Sequence, residues 1–203
     1  LKELRNISDS ISPMSENCRL SIGIPAYSEG LNIGKTLEFY AKQKDKDGKP
    51  IDPSLLEVVI FDNHPSGVLK DNTQKEVEKF QQSHPGIKVI YIHKQWGFQE
   101  SATAANARKH LADLALLRSS QRKQHKSKEL ILVYNDADAE EISNQYVDRI
   151  INAFDKNSKI DALTGKSVLP DRAMQKPNLL AATRFWGFMA IIVEGGGTGD
   201  TRF

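Results

Sequence analysis

The densest chemistry in this sequence is acidic: Asp136-Ala137-Asp138, with Glu140 and Glu141 close behind. Two carboxylates two residues apart can converge on one hard cation once the chain carrying them leaves the extended form, and that cation can neutralise a diphosphate. The same acids also suit a helix start, where the dipole favours negative charge. Residue type alone leaves both readings standing. A second group is Pro25-Ala26-Tyr27-Ser28-Glu29-Gly30. Tyr27 offers a flat face for a base and Glu29 an acceptor beside it. In the structural alternative, Pro25 stops ladder pairing and Ser28 or Asn32 caps a following helix. A third group, Asp62-Asn63, either faces a ligand or holds a turn through its side chains.

These groups matter because of the elements that must carry them. Residues 20–24, 55–61, 87–92 and 130–134 are short, β-branched runs bounded by polar or Gly/Pro signals, the pattern of buried strands. Between them, Ile33, Leu37, Tyr40 and Ala41 share one helix face, as do Thr73, Val77 and Phe80, and Val147, Ile150, Ile151 and Phe154. A helix over about 101–117 carries Ala104, Ala107, Leu111, Leu114 and Ala115 on one stripe, small enough for close approach to a sheet. Strand-helix alternation at this spacing predicts an α/β fold with a mostly parallel sheet flanked by helices, which binds ligands beyond the carboxyl ends of its strands. All three groups fall at such ends.

Composition narrows the function classes. The 28 Lys and Arg against 26 Asp and Glu leave a formal charge of +2, too balanced for a general polyanion-binding surface, so nucleic acid is not an expected partner. A single cysteine, Cys18, forms no internal disulfide and no thiolate cluster, which points to a reducing, cytoplasmic setting. The longest apolar run, residues 186–193, is far short of the roughly 20 residues a spanning helix needs. It reads as core, with peripheral membrane contact the alternative. Residues 1–18 read as a loosely attached lead-in and 19–203 as one domain. Residues 45–53 and 119–128 read as solvated loops, the second being basic enough for lipid heads or phosphate as its alternative. His64, His84, His93, His110 and His125 show no metal-ligand spacing and read as surface or packing residues. Gly165-Lys166-Ser167 lacks the preceding glycine of a phosphate loop.

Taken together, the three strand-end groups resemble the GT-A glycosyltransferases, most closely those of family 2. Residues 22–29, Ile-Gly-Ile-Pro-Ala-Tyr-Ser-Glu, are similar to the family's first strand and turn, and Asn32-Ile33-Gly34-Lys35-Thr36-Leu37 to the helix that follows. Val58-Val59-Ile60-Phe61-Asp62 resembles its second strand, and Asp136-Ala137-Asp138 its Asp-X-Asp signature. The resemblance covers about 19–165, the nucleotide-binding half of a Rossmann-like domain. Residues 166–203 would begin an incomplete acceptor half.

It implies that Pro25, Tyr27, Glu29, Asp62 and Asn106 frame the base and ribose of a nucleotide diphosphate sugar, probed first as a UDP-sugar. Asp136 would face ribose and metal, and Asp138 would bind Mn2+ or Mg2+. The implied reaction is inverting transfer to a saccharide, lipid carrier or protein. Direct displacement needs a base at the acceptor hydroxyl. Beyond residue 173 the acids are Glu194 and Asp200, and Asp200 follows a Gly-rich stretch similar to the family's approach to the acceptor. Ala105 stands where the family carries an arginine; Arg108 lies about 300° further round the helix. Trp96 either stacks on a sugar or packs. A nucleotidyltransferase would want a Gly-rich, basic loop after the first strand, where this chain is aromatic and acidic. A non-catalytic nucleotide-sugar-binding module would lack the base altogether.

Overall fold

The computed structural model describes residues 2–65, 71–96, 102–123, 129–157 and 159–163. Contacts divide the chain into two units, 1–159 and 160–203, and every described helix and strand lies in the first. Four strands, β1 (Leu20–Ala26), β2 (Leu56–His64), β3 (Lys88–Gln95) and β4 (Ile131–Tyr134), make one all-parallel sheet in the order β3-β2-β1-β4. Each strand falls within a few residues of its expected span. β2 is buried over its whole length, as a central strand covered on both faces should be.

The two faces divide by the parity of the side chains. Even-numbered residues of β1 and β2, among them Ile22, Ile24, Val58 and Ile60, pack with Ile33 and Leu37 of α2 (Ile33–Ala41), Val77 and Phe80 of α3 (Thr73–Ser83) and Val147 of α5 (Tyr146–Lys156). Val59 and Phe61 face the other way, with Ala107, Leu111 and Leu114 of α4 (Ala104–Ser120). Gly23 lets α4 come close: a Cβ there would stand 3.1 Å from Leu111 Cδ1 and 3.2 Å from Tyr134 Cδ1. The small-residue stripe of α4 thus meets a strand position with no side chain. The helix begins at Ala104, behind a Thr103 side chain that accepts from Asn106 N.

Two expectations about segments are corrected. The first 18 residues are not loosely attached: α1 (Lys2–Ser10) buries Leu4 against the α4 face, and Met14 and Cys18 are buried after it. The polar composition that suggested a tail hides one apolar stripe, Leu4, Ile7 and Ile11, which is enough to dock a helix. Nor is the start of the 119–128 segment simply solvated, since Ser119 and Ser120 close α4 and Arg122 donates to Cys18 O at 2.8 Å. The 45–53 loop is exposed, and it is pinned by Asp45, whose Oδ1 accepts from the backbone N–H of Asp47 and Lys49. Residues 186–193, Gly165-Lys166-Ser167, His125, Glu194 and Asp200 lie outside the described residues.

Candidate functional site at the carboxyl ends of the strands

Strand order places β4 on the opposite side of β1 from β2, so the winding direction reverses between β1 and β4. In open parallel sheets a crevice forms beyond the carboxyl ends at that reversal. The turn after β1 and the acidic loop after β4 both begin there.

Pro25 does not end β1. It pairs with Phe61 of β2, and Ala26 pairs with Asp62. The reason is parity. Gly23 O accepts from Asn135 N at 3.2 Å, so Gly23, and Pro25 two residues on, direct their backbone polar groups to the β4 side. β4 has ended by then, and the missing N–H of Pro25 removes no ladder bond to β2. The turn that follows holds the one described non-glycine residue with positive φ, Ser28 at 57°, a strained conformation of the kind found at ligand sites. Tyr27, just before it, is 50% exposed, with its ring 5.2 Å from that of His64. Glu29 is half-buried; its N–H donates to Thr73 Oγ1 at 2.9 Å and its carboxylate accepts from Asn32 Nδ2 at 3.0 Å. Asn32 does occupy the N-cap position of α2, but its side chain serves Glu29 and makes no cap. Gly30 N donates to Asp71 Oδ2 at 2.8 Å, and a Cβ at that position would sit 2.9 Å from the same oxygen. Burial pushes the Asp71 carboxyl up, but hydrogen bonds from Thr73 and Gly30 outweigh it and hold it below the usual range. The Tyr27 turn is therefore tied to the start of α3.

The acidic loop is held just as firmly. Asn135 donates from Nδ2 to Tyr40 OH at 2.6 Å and accepts from Tyr146 OH at 3.0 Å, linking α2 and α5. Burial pushes both phenols up, so both remain protonated. Ala137 is buried, and its carbonyl accepts from Thr36 Oγ1 at 2.7 Å. Asp136 and Asp138 flank that anchored residue and are both exposed. Asp138 makes no hydrogen bond or ion pair among the described residues. Asp136 accepts from Arg108 Nη2 at 3.0 Å. Nothing in the helical angle of Arg108 signalled this contact; it arises because Gly23 draws α4 onto the strand beside β4.

Asp62 is placed differently from expectation. It is 1% exposed, with Oδ1 2.8 Å from His64 Nε2 and Oδ2 accepting from Tyr91 OH at 2.5 Å. Burial, and then that hydrogen bond, push the Tyr91 phenol up and keep it a donor. Asp62 thus lies behind Tyr27, holding the imidazole against which the tyrosine ring rests. Asn63 turns back to donate to Ala26 O at 3.0 Å, which is the turn-holding alternative. Asn106 sits in the first turn of α4, its N–H on Thr103 Oγ1 and its carbonyl 2.8 Å from His110 Nδ1. Trp96 is 4% exposed, tilted against Phe61 and edge-on to His110, so it packs.

The histidines are the signal that sequence reading missed. Asp62, His64 and His93 form the one group of three or more candidate metal-ligating side chains among the described residues, each offering an atom within 4.8 Å of the others. Asp62 and His64 are two apart on a strand and so share a face, and His93 is the register partner of Asp62 on β3. A search for helix-type or loop-type ligand spacing cannot find a pair that only strand register creates.

Residues 21–109 match the family model described as glycosyl transferase family 2. The resemblance drawn from the motifs is borne out over that segment, and the observed architecture is the expected parallel α/β sheet flanked by helices. Among solved structures, the chain is similar to a mannosyltransferase from Pyrobaculum calidifontis in complex with GDP-mannose and Mn2+, at 22% identity and a TM-score of 0.40, over 68% of this chain and 34% of that one. It is also similar to TarS of S. aureus, at 19% identity and a TM-score of 0.45, over 78% of this chain and 24% of that one. No curated protein matches the sequence. The chain thus spans well under half the length of either structure. No described helix is long and apolar enough to cross a membrane.

Proposed function

We propose that this chain transfers a sugar from a nucleoside diphosphate sugar, a UDP-sugar in the first instance, to an acceptor hydroxyl with inversion. The observation that carries the reading is the placement of Tyr27 and of Asp136 and Asp138 at the carboxyl ends of β1 and β4, where the sheet reverses its winding. Tyr27, half out in solvent, stacks on the base, and Pro25 and Glu29 line the rim for base and ribose. Asp62 supports that platform from behind through His64. Asn106 stands with Arg108 at the start of α4. The guanidinium of Arg108 moves from Asp136 to the diphosphate and supplies the cation that Ala105 does not.

The donor set after β4 fits a hard divalent ion. It offers exposed carboxylate oxygens, those of Asp138 with no other partner among the described residues, which suits Mn2+ or Mg2+ better than zinc. Asp138, with Asp136 beside it, would hold the ion, and the ion would supply charge stabilisation to the departing diphosphate. Asp200 is proposed as the base that takes the acceptor proton. We place the protein on the cytoplasmic side, in reach of soluble nucleotide sugars.

The test is a panel of nucleotide sugars, with and without Mn2+, against a saccharide, a lipid carrier and a protein acceptor, following both nucleoside diphosphate release and transferred sugar. Transfer that needs Mn2+ supports the proposal. Metal-dependent nucleotide binding with neither release nor transfer on the whole panel would leave a non-catalytic binding module.

A further inference from the structure

Asp62 is a carboxylate 1% exposed to solvent, and no lysine or arginine among the described residues reaches it; its ion-pair partner is His64. A charge placed there is costly unless it is matched by an opposite charge and well-aligned donors. Tyr91 donates to one oxygen and His64 faces the other. That arrangement leaves His64 itself unsatisfied. Its ring is wholly buried and its Nδ1 has no hydrogen-bond partner among the described residues. If Nε2 carries the proton donated to Asp62, Nδ1 is a bare lone pair closed off from water. If the ring is cationic, Nδ1–H is a donor with no acceptor. Either way one strong polar atom is left over in a place where burial makes that expensive.

A bound cation answers either cost: on Nδ1 it satisfies the orphaned nitrogen, and shared with the carboxylate it neutralises Asp62. Asp62, His64 and His93 hold ligand atoms within 4.8 Å of one another, on one sheet face, fixed by the register of β2 against β3. One carboxylate and two imidazoles are a borderline-soft set, suited to Zn2+ and its neighbours and unlike the all-oxygen pair after β4. With an ion on Nδ1, the Nε2–H bond to Asp62 survives as the carboxylate-histidine contact that orients metal-bound imidazoles. With the carboxylate brought in directly, the set is three protein ligands and one open position. His93 is only partly buried and gives the ion a way in.

We propose that Asp62, His64 and His93 bind a transition-metal ion of the zinc class, separate from the hard-cation site at Asp136 and Asp138. The ion ties the carboxyl ends of β2 and β3 together directly behind Tyr27.

The experiment uses the full chain, stripped of metal and titrated with Co2+ alone, then with Zn2+ in competition. The expected result is visible ligand-field absorption of a low-coordinate Co2+ site, abolished by Zn2+, together with a Zn2+-induced rise in melting temperature. His64→Gln and His93→Gln should each weaken Zn2+ by more than about 100-fold, the upper range seen even for outer-sphere partners, while Asp138→Ala leaves it unchanged. Should a histidine variant fail to fold, carbethoxylation of the partly buried His93 in the wild-type chain provides the second reading, and Zn2+ should slow it. Absence of the Co2+ bands, equal Zn2+ binding by the histidine variants, or modification rates indifferent to Zn2+ would each overturn the proposal. The outcome is independent of any sugar transfer, because it is read without nucleotide and is repeated in Asp138→Ala, which lacks the other site.

Discussion

The amino and carboxyl ends of the same four strands treat their polar groups in opposite ways. At the amino end, Glu57 and Arg118 are each 1% exposed and paired at 2.9 Å, with Ser21 on the same carboxylate and Ser12 O on the same guanidinium. Arg19 bridges Asp155 at 2.7 Å, and Lys88 donates to Ser12 and Pro13. At the carboxyl end, Tyr27 is half exposed, and among the described residues Asn63 Oδ1, His64 Nδ1 and Trp96 Nε1 are buried without partners and Asp138 has none either. Unsatisfied polar atoms are rare in folded chains, and their gathering at one end marks the end that awaits something else. The amino end specifies the fold; the carboxyl end keeps its chemistry uncommitted.

The sharpest way to break this contrast is Arg118→Ala. It strands the Glu57 charge in the interior and should cost about 3–5 kcal/mol, seen as a large fall in melting temperature. Glu57→Leu combined with Arg118→Met should recover most of it, since removing both charges removes the debt. If the single variant melts like the wild type, the amino end is not the locked one.

A smaller effect comes from Cys18, in the same region. Burial, and then the nearby Glu57 carboxylate, push its thiol up to about 12 from an ordinary 9.0. The folded chain keeps the thiol protonated where the unfolded chain ionises. Its contribution to stability is therefore complete below pH 9.0 and lost progressively as the pH rises to about 12. Cys18→Ala should flatten the alkaline limb of the stability curve, and the native thiol should resist alkylation at neutral pH.

The smallest change in stability belongs to the carboxyl end. Asp138→Ala and Tyr27→Ala should each shift the apo protein by no more than about 0.5 kcal/mol, as exposed substitutions usually do. Yet Asp138→Ala should abolish Mn2+-dependent stabilisation by UDP, and Tyr27→Ala should weaken nucleotide binding with or without metal. A large apo loss in Asp138→Ala would return the acids to the helix-start reading.

What sequence alone could tell follows the physics of each element. The strands were legible because both of their faces are buried, giving apolar runs such as Val58-Val59-Ile60-Phe61 that survive without any partner in view. The acidic pair and Tyr27 were legible because strand ends expose them. Contacts set by packing were not. Arg108 meets Asp136 only because a glycine on β1 admits α4, and His93 meets Asp62 only through the β2–β3 register. The docking of α1 was hidden by its polar composition, in which a few apolar residues, with polar ties such as Ser8 to Gln121 and Glu3 to Lys94, carry the attachment.

Asn135 deserves its place next to the acids for a reason beyond support. Its amide donates a hydrogen bond to one tyrosine and accepts one from another, on helices more than 100 residues apart in the chain. An aspartate there has no hydrogen to give Tyr40, and a leucine can serve neither phenol. The position therefore tolerates an amide and little else, so the two carboxylates that follow inherit their place from a side chain that carries no charge itself.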